Sequence, residues 1–400
     1  MFSTANSLGP PPVVLTINGG SSSIRFSIHA GRSECRRLLA GKIDRIGLPG
    51  TALIVEGTAD TILLPASLSS KHDKAVDFLL EYLGQQPLFK SVKAVGHRVV
   101  HGMQRSEPER ITRRLLKDLH GIIPYAPDHL PREIALIEAF ARRFPQLIQI
   151  ACFDTAFHRS MPKVAKLMPI PRRYAEQGVE RYGFHGLSYS YLIEELTRLD
   201  PVAAKGPTIL AHLGNGASLA AVLGGKSIDT SMGFTPTAGL MMSNRTGDLD
   251  PGLVQYLARS QGMSAARFHE MVNRESGLLG VSEISSDMRD LLEQEARDIR
   301  AAEAVELFCY QAKKWIGSFA AVLGGVDTLV FAGGIGENSP QVRKRICEGL
   351  GFLGIIFSPK CNEAGDSIIS TDTSRTKVRV IHTDEEQMIA RFVMRSLPSL

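Results

Sequence analysis

Four ionisable side chains of this 400-residue chain lie within apolar segments, where charged groups are rare unless they have a partner. They are Arg98 in VGHRVVHG, Asp154 in ACFDTAFH, His185 in RYGFHG and Arg245 in MMSNRTGDLD. Such a set suits phosphoryl transfer, because cations spread over the equatorial oxygens while another group positions the nucleophile or a metal. The same residues could form buried arginine–aspartate bridges beside a core histidine, so at this point both interpretations stay open.

Three glycine-rich turns follow apolar, strand-like segments and carry side-chain donors. They are NGGSSS at 18–23, HLGNG at 212–216 and GGIGEN at 333–338. Glycine turns can bring backbone N–H groups close to phosphates. The P-loop pattern GxxxxGK[ST] is absent, and GGIGEN lacks the third glycine of a dinucleotide fingerprint. Each turn taken singly is therefore more simply an ordinary tight turn.

The elements that must position these groups begin with two hairpins. VVLTIN and IRFSIHAG flank the first turn, and TILAHLGN and ASLAAVLGG flank the second, roughly half the chain later. Two matching openings predict two domains built from one repeated unit.

Apolar spacing and helix-start signals predict the later helices. Apolar residues three and four apart predict a helix over residues 299–323. VDTLVF predicts a buried strand, followed by a glycine turn at GGIGEN and a helix with Ser339 as N-cap, Pro340 in its first turn and Leu350 at its end.

A last helix is predicted near the C-terminus. Thr383 and Glu386 match a capping box, and the apolar residues that follow share one helical face. Capping accounts for Glu386 but leaves Glu385 without a structural role.

Composition limits the class of protein. The chain is 44% hydrophobic and 22% charged with a formal net charge of +5, which excludes a disordered chain and makes nucleic acid an unexpected partner. Five widely spaced cysteines without CxxC favour a reducing compartment and argue against structural zinc. With no signal-peptide or membrane-span pattern, we expect a cytoplasmic protein whose residues 1–12 form a flexible extension.

Nine segments, in this order, resemble the motifs of the acetate kinase family, within the wider actin-like and sugar-kinase ATPase fold. They are NGGSSSIRF, GHRVVHG, FDTAFH, RYGFHG, HLGNGASL, DTSMGFTP, SGLLGVSEISSDMRD, GGIGENSPQVR and TDEEQMIAR. The resemblance covers essentially residues 13–393 and favours the functional interpretation of the charged residues.

The resemblance implies an α/β fold of two similar domains, each a mixed sheet flanked by helices in the duplicated ribonuclease-H-like arrangement. The active site would occupy the cleft between the domains. An N-terminal domain would span 13–155 and a nucleotide-binding domain 156–383, with a helix at 384–400 returning to the first. The resemblance also implies a homodimer.

Site residues carry over by their positions in these motifs. The ligands of Mg²⁺, with Mn²⁺ as an alternative, would be Asn18 and Glu385. The catalytic residues would be Asp154, His185, Arg245 and His129. Arg98 would bind the substrate carboxylate beside an apolar pocket formed by Val100, Phe184 and Pro236. ATP or ADP would contact Arg25, Ser23, His212, Leu213, Gly214, Asn215, Gly216, Asp287, Met288, Arg289, Gly334, Ile335, Gly336, Glu337 and Asn338.

The implied reaction is reversible, direct in-line transfer of the ATP γ-phosphoryl group to acetate. A carboxylate is already ionised at pH 7 and needs no general base, so Asp154 would orient Mg²⁺ or a water instead of removing a proton. Arg98 and Arg245 would bring the anionic carboxylate close to the anionic phosphate, although the two repel each other.

The sequence departs from the family pattern at several places near the substrate. Arg25 stands where the family has lysine, and Asp128 stands where it has a leucine of the acyl pocket. We expect Asp128 to point outward or to pair with a cation such as Arg132. The alternatives are a kinase for propionate or a more polar short carboxylate, and an inactive nucleotide-binding regulatory protein.

Overall fold

Two compact units make up the described chain in this computed structural model. The structure describes residues 11–20, 23–31, 35–57, 61–65 and 72–397. The first unit comprises the described residues of Met1–Ala156 and Asp384–Leu400, and the second is Phe157–Thr383. The expected flexible extension at 1–12 lies, except for its last two residues, outside the described residues.

The first unit is built on a mixed sheet. Its described strands are β1 Val13–Gly19, β2 Ile24–Ala30, β3 Arg36–Asp44, β4 Ala52–Val55, β5 Thr61–Leu63, β6 Val92–Val99, β7 Glu109–Arg110 and β8 Ile148–Phe153. They lie in the order β5-β4-β3-β2-β1-β6-β8-β7. The predicted first hairpin is confirmed, because β1 and β2 pair antiparallel with Asn18 opposite Arg25. Strands β6 and β8 run parallel to β1, so these three strands end at the same edge of the sheet.

In the described part of residues 1–156, three helices accompany this sheet. They are α1 His72–Gln85, α2 Arg113–Gly121 and α3 Leu130–Arg143, with 3₁₀ turns at Pro87–Ser91 and Ile123–Tyr125. Apolar residues of α1 and α3, such as Leu79 and Phe140, join Leu15 and Ile17 of β1 in one buried core. Each such side chain contributes about 1.5–3 kcal/mol through the apolar surface it removes from water.

The second unit repeats the central strands of the first. Its strands are β9 Thr208–Leu213, β10 Ala217–Leu223, β11 Lys226–Thr230, β12 Thr328–Ala332 and β13 Lys377–Val380. They lie in the order β11-β10-β9-β12-β13, with β9 to β11 antiparallel and β12 and β13 parallel to β9. This matches β3-β2-β1-β6-β8 strand for strand, which confirms the predicted repeat.

The helices of the second unit surround this sheet. They are α4 Lys163–Lys166, α5 Arg172–Glu176, α6 Gly186–Leu199, α7 Gly252–Gln261, α8 Ala265–Arg274, α9 Gly277–Ser282, α10 Met288–Gln294, α11 Ile299–Leu323, α12 Gly333–Asn338, α13 Pro340–Cys347 and α14 Pro359–Ala364. Further 3₁₀ turns lie at Ala156–Ser160, Ala203–Lys205 and Leu350–Leu353. The helix predicted over 299–323 is confirmed as α11. Within the described residues, no helix is long and apolar enough to cross a bilayer.

Two predictions around GGIGEN need correction. The segment is the short helix α12, not a glycine turn, because Gly333 takes φ +77° and turns the chain directly from β12 into a helix. The next helix has Ser339 as its N-cap, as predicted, with the hydroxyl accepting from Val342 N at 3.3 Å. It ends at Cys347 instead of Leu350, since Glu348 has a non-helical ψ of 125° and Gly349 has φ +82°.

The C-terminal helix α15, Glu385–Ser396, packs on the first unit's sheet against β1, β2, β6 and β8. It approaches so closely that a Cβ at Gly96 would clash with Ile389 and Val393. The predicted capping box is wrong. Asp384 is the N-cap and its Oδ1 accepts from Gln387 N at 2.8 Å, which leaves Glu386 available for another role.

Candidate functional site

Arg98 and Asp154 form a close pair at the ends of β6 and β8. Asp154 Oδ2 accepts from Arg98 Nε at 3.0 Å and from Nη2 at 2.6 Å. Asp154 is fully buried, whereas 16% of the Arg98 side chain is exposed. Burial opposes the guanidinium charge, but the attraction of Asp154 and Glu385 outweighs it and raises the pKa of Arg98. The arginine therefore stays cationic, with its outer edge accessible.

Asn18, near the end of β1, links this pair to the start of α15. Its Oδ1 accepts from Arg98 Nη1 at 3.4 Å. Its Nδ2 donates to Glu385 Oε2 at 3.0 Å and to Glu386 Oε1 at 3.1 Å. Burial, and then the neighbouring Glu385, raise the pKa of Glu386. Glu386, which the sequence assigned to capping, thus joins Glu385 in a pair of adjacent carboxylates.

The chemistry of this donor set suits Mg²⁺. Carboxylate and amide oxygens are the ligands that a hard divalent cation prefers, and Mg²⁺ is commonly held by one or two carboxylates with phosphate oxygens and water completing its shell. Among the described residues, no group of three or more His, Cys, Asp or Glu is placed to form a full cage. The two glutamates, held side by side by Asn18 Nδ2, fit a cation that arrives with a nucleotide.

His129 and Arg25, two other predicted site residues of the first unit, each line a cavity. His129 immediately precedes α3 and lines a narrow cavity with Gly20, Asp128 and Arg132. Arg25 is exposed on β2 and lines a second cavity of about 250 Å³. Glu386, from the carboxylate pair, lines that second cavity as well.

Ser23 closes the first glycine turn, since its carbonyl oxygen accepts from Gly20 N at 2.7 Å. The two serines before it, at positions 21 and 22, lie outside the described residues.

Glu133 was not predicted from the sequence. It is 4% exposed on α3, and its Oε2 accepts from the backbone N–H of Val100, the predicted acyl-pocket residue, at 3.0 Å. Burial raises the pKa of Glu133 to about 8, with Arg98 acting in the opposite direction. Its one signal in the sequence is an acid between apolar residues of a helix, which does not reveal that the side chain turns inward.

In the second unit, Gly216 lies against His185 and Arg245. A Cβ at Gly216 would lie 2.8 Å from Arg245 Nη2 and 3.0 Å from His185 Nε2, so both nitrogens face the backbone of this turn. Arg245 Nη1 donates to the Pro236 carbonyl oxygen at 2.6 Å. Two side chains that can carry hydrogen-bond donors therefore converge on a glycine whose missing side chain leaves them room.

His185 is held by its backbone and by its neighbours. It takes φ +59° at the start of α6, a left-handed conformation that a non-glycine residue adopts at a cost. Its ring stacks on His212 with centroids 4.4 Å apart. The Nδ1 atom of His212 lies 2.8 Å from Ser188 Oγ, which lies 2.8 Å from Thr383 Oγ1.

A cavity of about 580 Å³ opens next to the second glycine turn. Its lining residues are Gly214, Asn215, Ser243, Ser286, Asp287, Met288, Arg289, Leu292, Glu293, Gly334, Ile335, Asn338, Ser339 and Gln341. Three separate segments predicted to bind nucleotide thus line one space. Ser243 and Gln341 were not predicted: Ser243 lies outside the nine motif segments, and Gln341 lies within GGIGENSPQVR but was given no role in nucleotide binding.

Three predicted nucleotide residues, Leu213, Gly336 and Glu337, are not among the residues that line this cavity. Leu213 is buried in β9, and Gly336 is buried within α12. Glu337 fixes the start of α12, because its Oε1 accepts from Gly333 N at 2.8 Å and from Thr383 N at 3.0 Å.

Phe184, predicted for the acyl pocket, is almost fully buried in the second unit. Its carbonyl oxygen lies 3.0 Å from His158 Nε2. Burial lowers the pKa of His158 to about 4, so this imidazole is neutral at pH 7.

Comparison with known proteins identifies the family of the chain. The model of the acetokinase family matches residues 13–391. An acetate kinase of Rhodopseudomonas palustris is 43% identical over 96% of this chain and 98% of its own. The crystal structure of Porphyromonas gingivalis acetate kinase covers 96% of this chain and 100% of its own at 37% identity and a TM-score of 0.86. That of a propionate kinase from Francisella tularensis covers 95% and 98% at 34% identity and a TM-score of 0.89. The chain belongs to the acetokinase family.

Proposed function

We propose that this protein catalyses reversible transfer of the γ-phosphoryl group of ATP to acetate, giving acetyl phosphate and ADP. The observation that carries the proposal is the Arg98–Asp154 pair at the strand ends, joined through Asn18 to Glu385 and Glu386. It offers one cation for a carboxylate and two carboxylates for a metal. The relatives named acetate kinase match almost the whole chain, which supports acetate as the acceptor.

Arg98 binds the acceptor carboxylate in this proposal. Asp154 takes the Nε and Nη2 donors of Arg98, so the Nη1 side of the guanidinium remains to meet an anion beside Asn18. The acceptor is already ionised at neutral pH, and no proton has to be removed before its oxygen attacks phosphorus. Asp154 therefore orients Arg98 and does not act as a general base.

His185 and Arg245 stabilise the transferring phosphoryl group. Their Nε2 and Nη2 atoms face the Gly216 backbone, where donors can reach the equatorial oxygens of a phosphoryl group. The large cavity lined by Gly214, Asn215 and α12 residues accommodates the nucleotide. The proposal thus assigns residues of both units to one reaction.

Asn18, Glu385 and Glu386 hold Mg²⁺ in this proposal, with Mn²⁺ as an alternative. When bound, the cation neutralises charge on the nucleotide phosphates. The protein's contribution is to fix the two carboxylates, which Asn18 does by donating to both.

The test is hydroxamate formation from ATP, MgCl₂ and hydroxylamine with acetate, propionate and short hydroxy-acids as acceptors. We expect the highest kcat/KM with acetate. The chain with Arg245→Ala serves as the matched control for contaminating kinases. Nucleotide binding without turnover on any acceptor would support the inactive regulatory protein instead.

A more polar acceptor is the second candidate, because Asp128 and Arg132 line the cavity beside Gly20. A hydroxy-acid preferred tenfold over acetate in the same panel would establish that candidate. We further propose a homodimer, as the family resemblance implies, and light scattering after gel filtration measures its mass directly. A monomeric mass at assay concentrations would refute it.

A further inference from the structure

A chain of hydrogen bonds runs from the core of the second unit to His185. Tyr189 Oη, on α6, lies 2.5 Å from Ser218 Oγ, on β10, and Ser218 Oγ lies 2.9 Å from His185 Nδ1. Tyr189 and Ser218 have no exposed surface. Neither residue has a role in the reaction proposed above, although both lie behind one of its catalytic side chains.

The direction of these bonds follows from the buried donors. Among the described residues, Ser218 is the one hydrogen-bond partner of the Tyr189 hydroxyl. The Tyr189 ring is packed against Phe157 and His158, and both His158 nitrogens have other partners. A buried donor without an acceptor is more costly than an acceptor that keeps a spare lone pair. Tyr189 therefore donates to Ser218.

The proton of Ser218 then goes to His185. With Tyr189 donating to Ser218 Oγ, the serine hydroxyl is left to donate, and His185 Nδ1 is its other neighbour. Nδ1 must accept and carries no proton, so the neutral imidazole has its proton on Nε2. The opposite direction would leave the Tyr189 hydroxyl proton without an acceptor in the core.

The selected tautomer matters because Nε2 is the nitrogen that faces the site. It lies with Arg245 Nη2 against the Gly216 backbone. An Nε2–H would donate to an oxygen of the transferring phosphoryl group, whereas an Nε2 lone pair would repel it. The backbone of His185 and its stack on His212 fix where the ring lies, but they do not choose between the tautomers.

We propose that Tyr189 and Ser218 are positioning residues that hold His185 in the Nε2–H tautomer, so that the neutral imidazole donates to the phosphoryl group beside Arg245. The inference rests on the proposed function for its catalytic consequence. Its structural part, the tautomer, stands independently of any substrate.

Tyr189→Phe tests the chain with little change in packing. We expect kcat to fall about tenfold, because Ser218 is then able either to donate to or to accept from Nδ1 and the tautomers mix. The KM values for ATP and carboxylate should stay within about twofold of the native values, since ground-state contacts are retained. Ser218→Ala, which removes the donor to Nδ1 altogether, should lower kcat further.

Tyr182→Phe is the matched control. Its hydroxyl is also in the core of the second unit and bonds the Gly178 carbonyl oxygen at 2.7 Å, so the same atom is lost without contact with His185. We expect native kcat for this variant. An equal fall in both variants would assign the effect to general loss of a buried hydrogen bond and overturn the proposal.

Imidazole ¹⁵N NMR reads the tautomer in the ligand-free protein. The chain has 11 histidines, and the spectrum of His185→Asn identifies the signals that belong to His185. We expect a protonated Nε2 in the native protein and averaged shifts in Tyr189→Phe. A proton on Nδ1 in the native protein would overturn the proposal even if Tyr189→Phe fails to fold. Absence of kinase activity would refute the proposed function while leaving this spectrum to decide the tautomer.

Discussion

The two units share a strand order but place different chemistry at the strand ends. In the first, Arg98 and Asp154 pair, and Asn18 holds the carboxylates of Glu385 and Glu386. In the second, the strand ends carry histidines, hydroxyls and glycines beside an open cavity of about 580 Å³. One duplicated fold thus supports a buried ion pair beside two carboxylates in one unit and glycine turns beside an open cavity in the other. The difference shows that one sheet topology can carry different side-chain chemistry at its edge.

Arg98→Ala should have the largest effect and should act on the first unit alone. We expect kcat/KM for the carboxylate to fall by a thousandfold or more, because the variant loses the cation proposed to bind the acceptor and breaks the ion pair of the buried Asp154. ADP affinity, measured by calorimetry without carboxylate, should change little. Arg98→Ala with Asp154→Asn is the control for folding. Native kcat/KM in Arg98→Ala would make the pair purely structural.

Arg245→Ala should show the complementary pattern. We expect kcat to fall about a hundredfold with a KM for carboxylate near the native value, since Arg245 acts on charge that develops in the transition state. Steady-state kinetics with each substrate varied in turn separates the two constants. A raised KM for carboxylate at native kcat would place acceptor binding on Arg245 and remove the proposed division of roles.

Glu386→Gln should weaken metal binding in the first unit, with a smaller effect than the two arginine substitutions. Glutamine keeps an oxygen that can accept from Asn18 Nδ2 but loses the negative charge. We expect the Mg²⁺ concentration at half-maximal rate to rise about tenfold. Magnesium titration of the rate at saturating ATP measures it. An unchanged titration would return Glu386 to a purely structural role.

Glu133→Gln should alter stability in a pH-dependent way with the smallest effect on activity. A carboxyl whose pKa rises on folding binds its proton more tightly in the folded state. Its contribution to stability is therefore complete below the ordinary value of 4.5 and is lost as pH rises through about 8. Relative to that of the native chain, the variant's free energy of unfolding should increase by on the order of a few kcal/mol between pH 5 and pH 8. Chemical unfolding at both pH values tests this, and a pH-independent difference would refute it.

Much of the fold could be predicted because its signals are local. The apolar runs beside the Gly20 and Gly216 turns specify hairpins, and the period of residues 299–323 specifies a helix. The cap of the last helix could not be chosen locally, since Thr383 and Asp384 both suit it. Thr383 is engaged with Ser188, so the cap falls to Asp384. Hydrogen bonds in the folded protein therefore decide which residue caps this helix, a choice that capping propensity alone does not make.

The residues of the candidate site also differ in whether the sequence could predict them. Arg98 and Asp154 could be predicted because charged residues are rare within apolar segments unless they have a partner or a function. The motif resemblance then indicated a function. Glu133, Tyr189 and Ser218 could not, because a glutamate on a helix, a tyrosine and a serine are ordinary in sequence. Their roles depend on which neighbour each meets in the fold, and no spacing along the chain encodes that.

The most direct test of the central claim follows oxygen from carboxylate to phosphorus. The protein is incubated with ATP, Mg²⁺ and acetate labelled with ¹⁸O in both carboxyl positions, and acetyl phosphate is observed by ³¹P NMR. Attack by the carboxylate held on Arg98 predicts an isotope-shifted phosphorus signal, because the bridging oxygen derives from acetate. Acetyl phosphate without ¹⁸O on phosphorus, or ATP consumption that yields inorganic phosphate alone, would contradict transfer to the carboxylate.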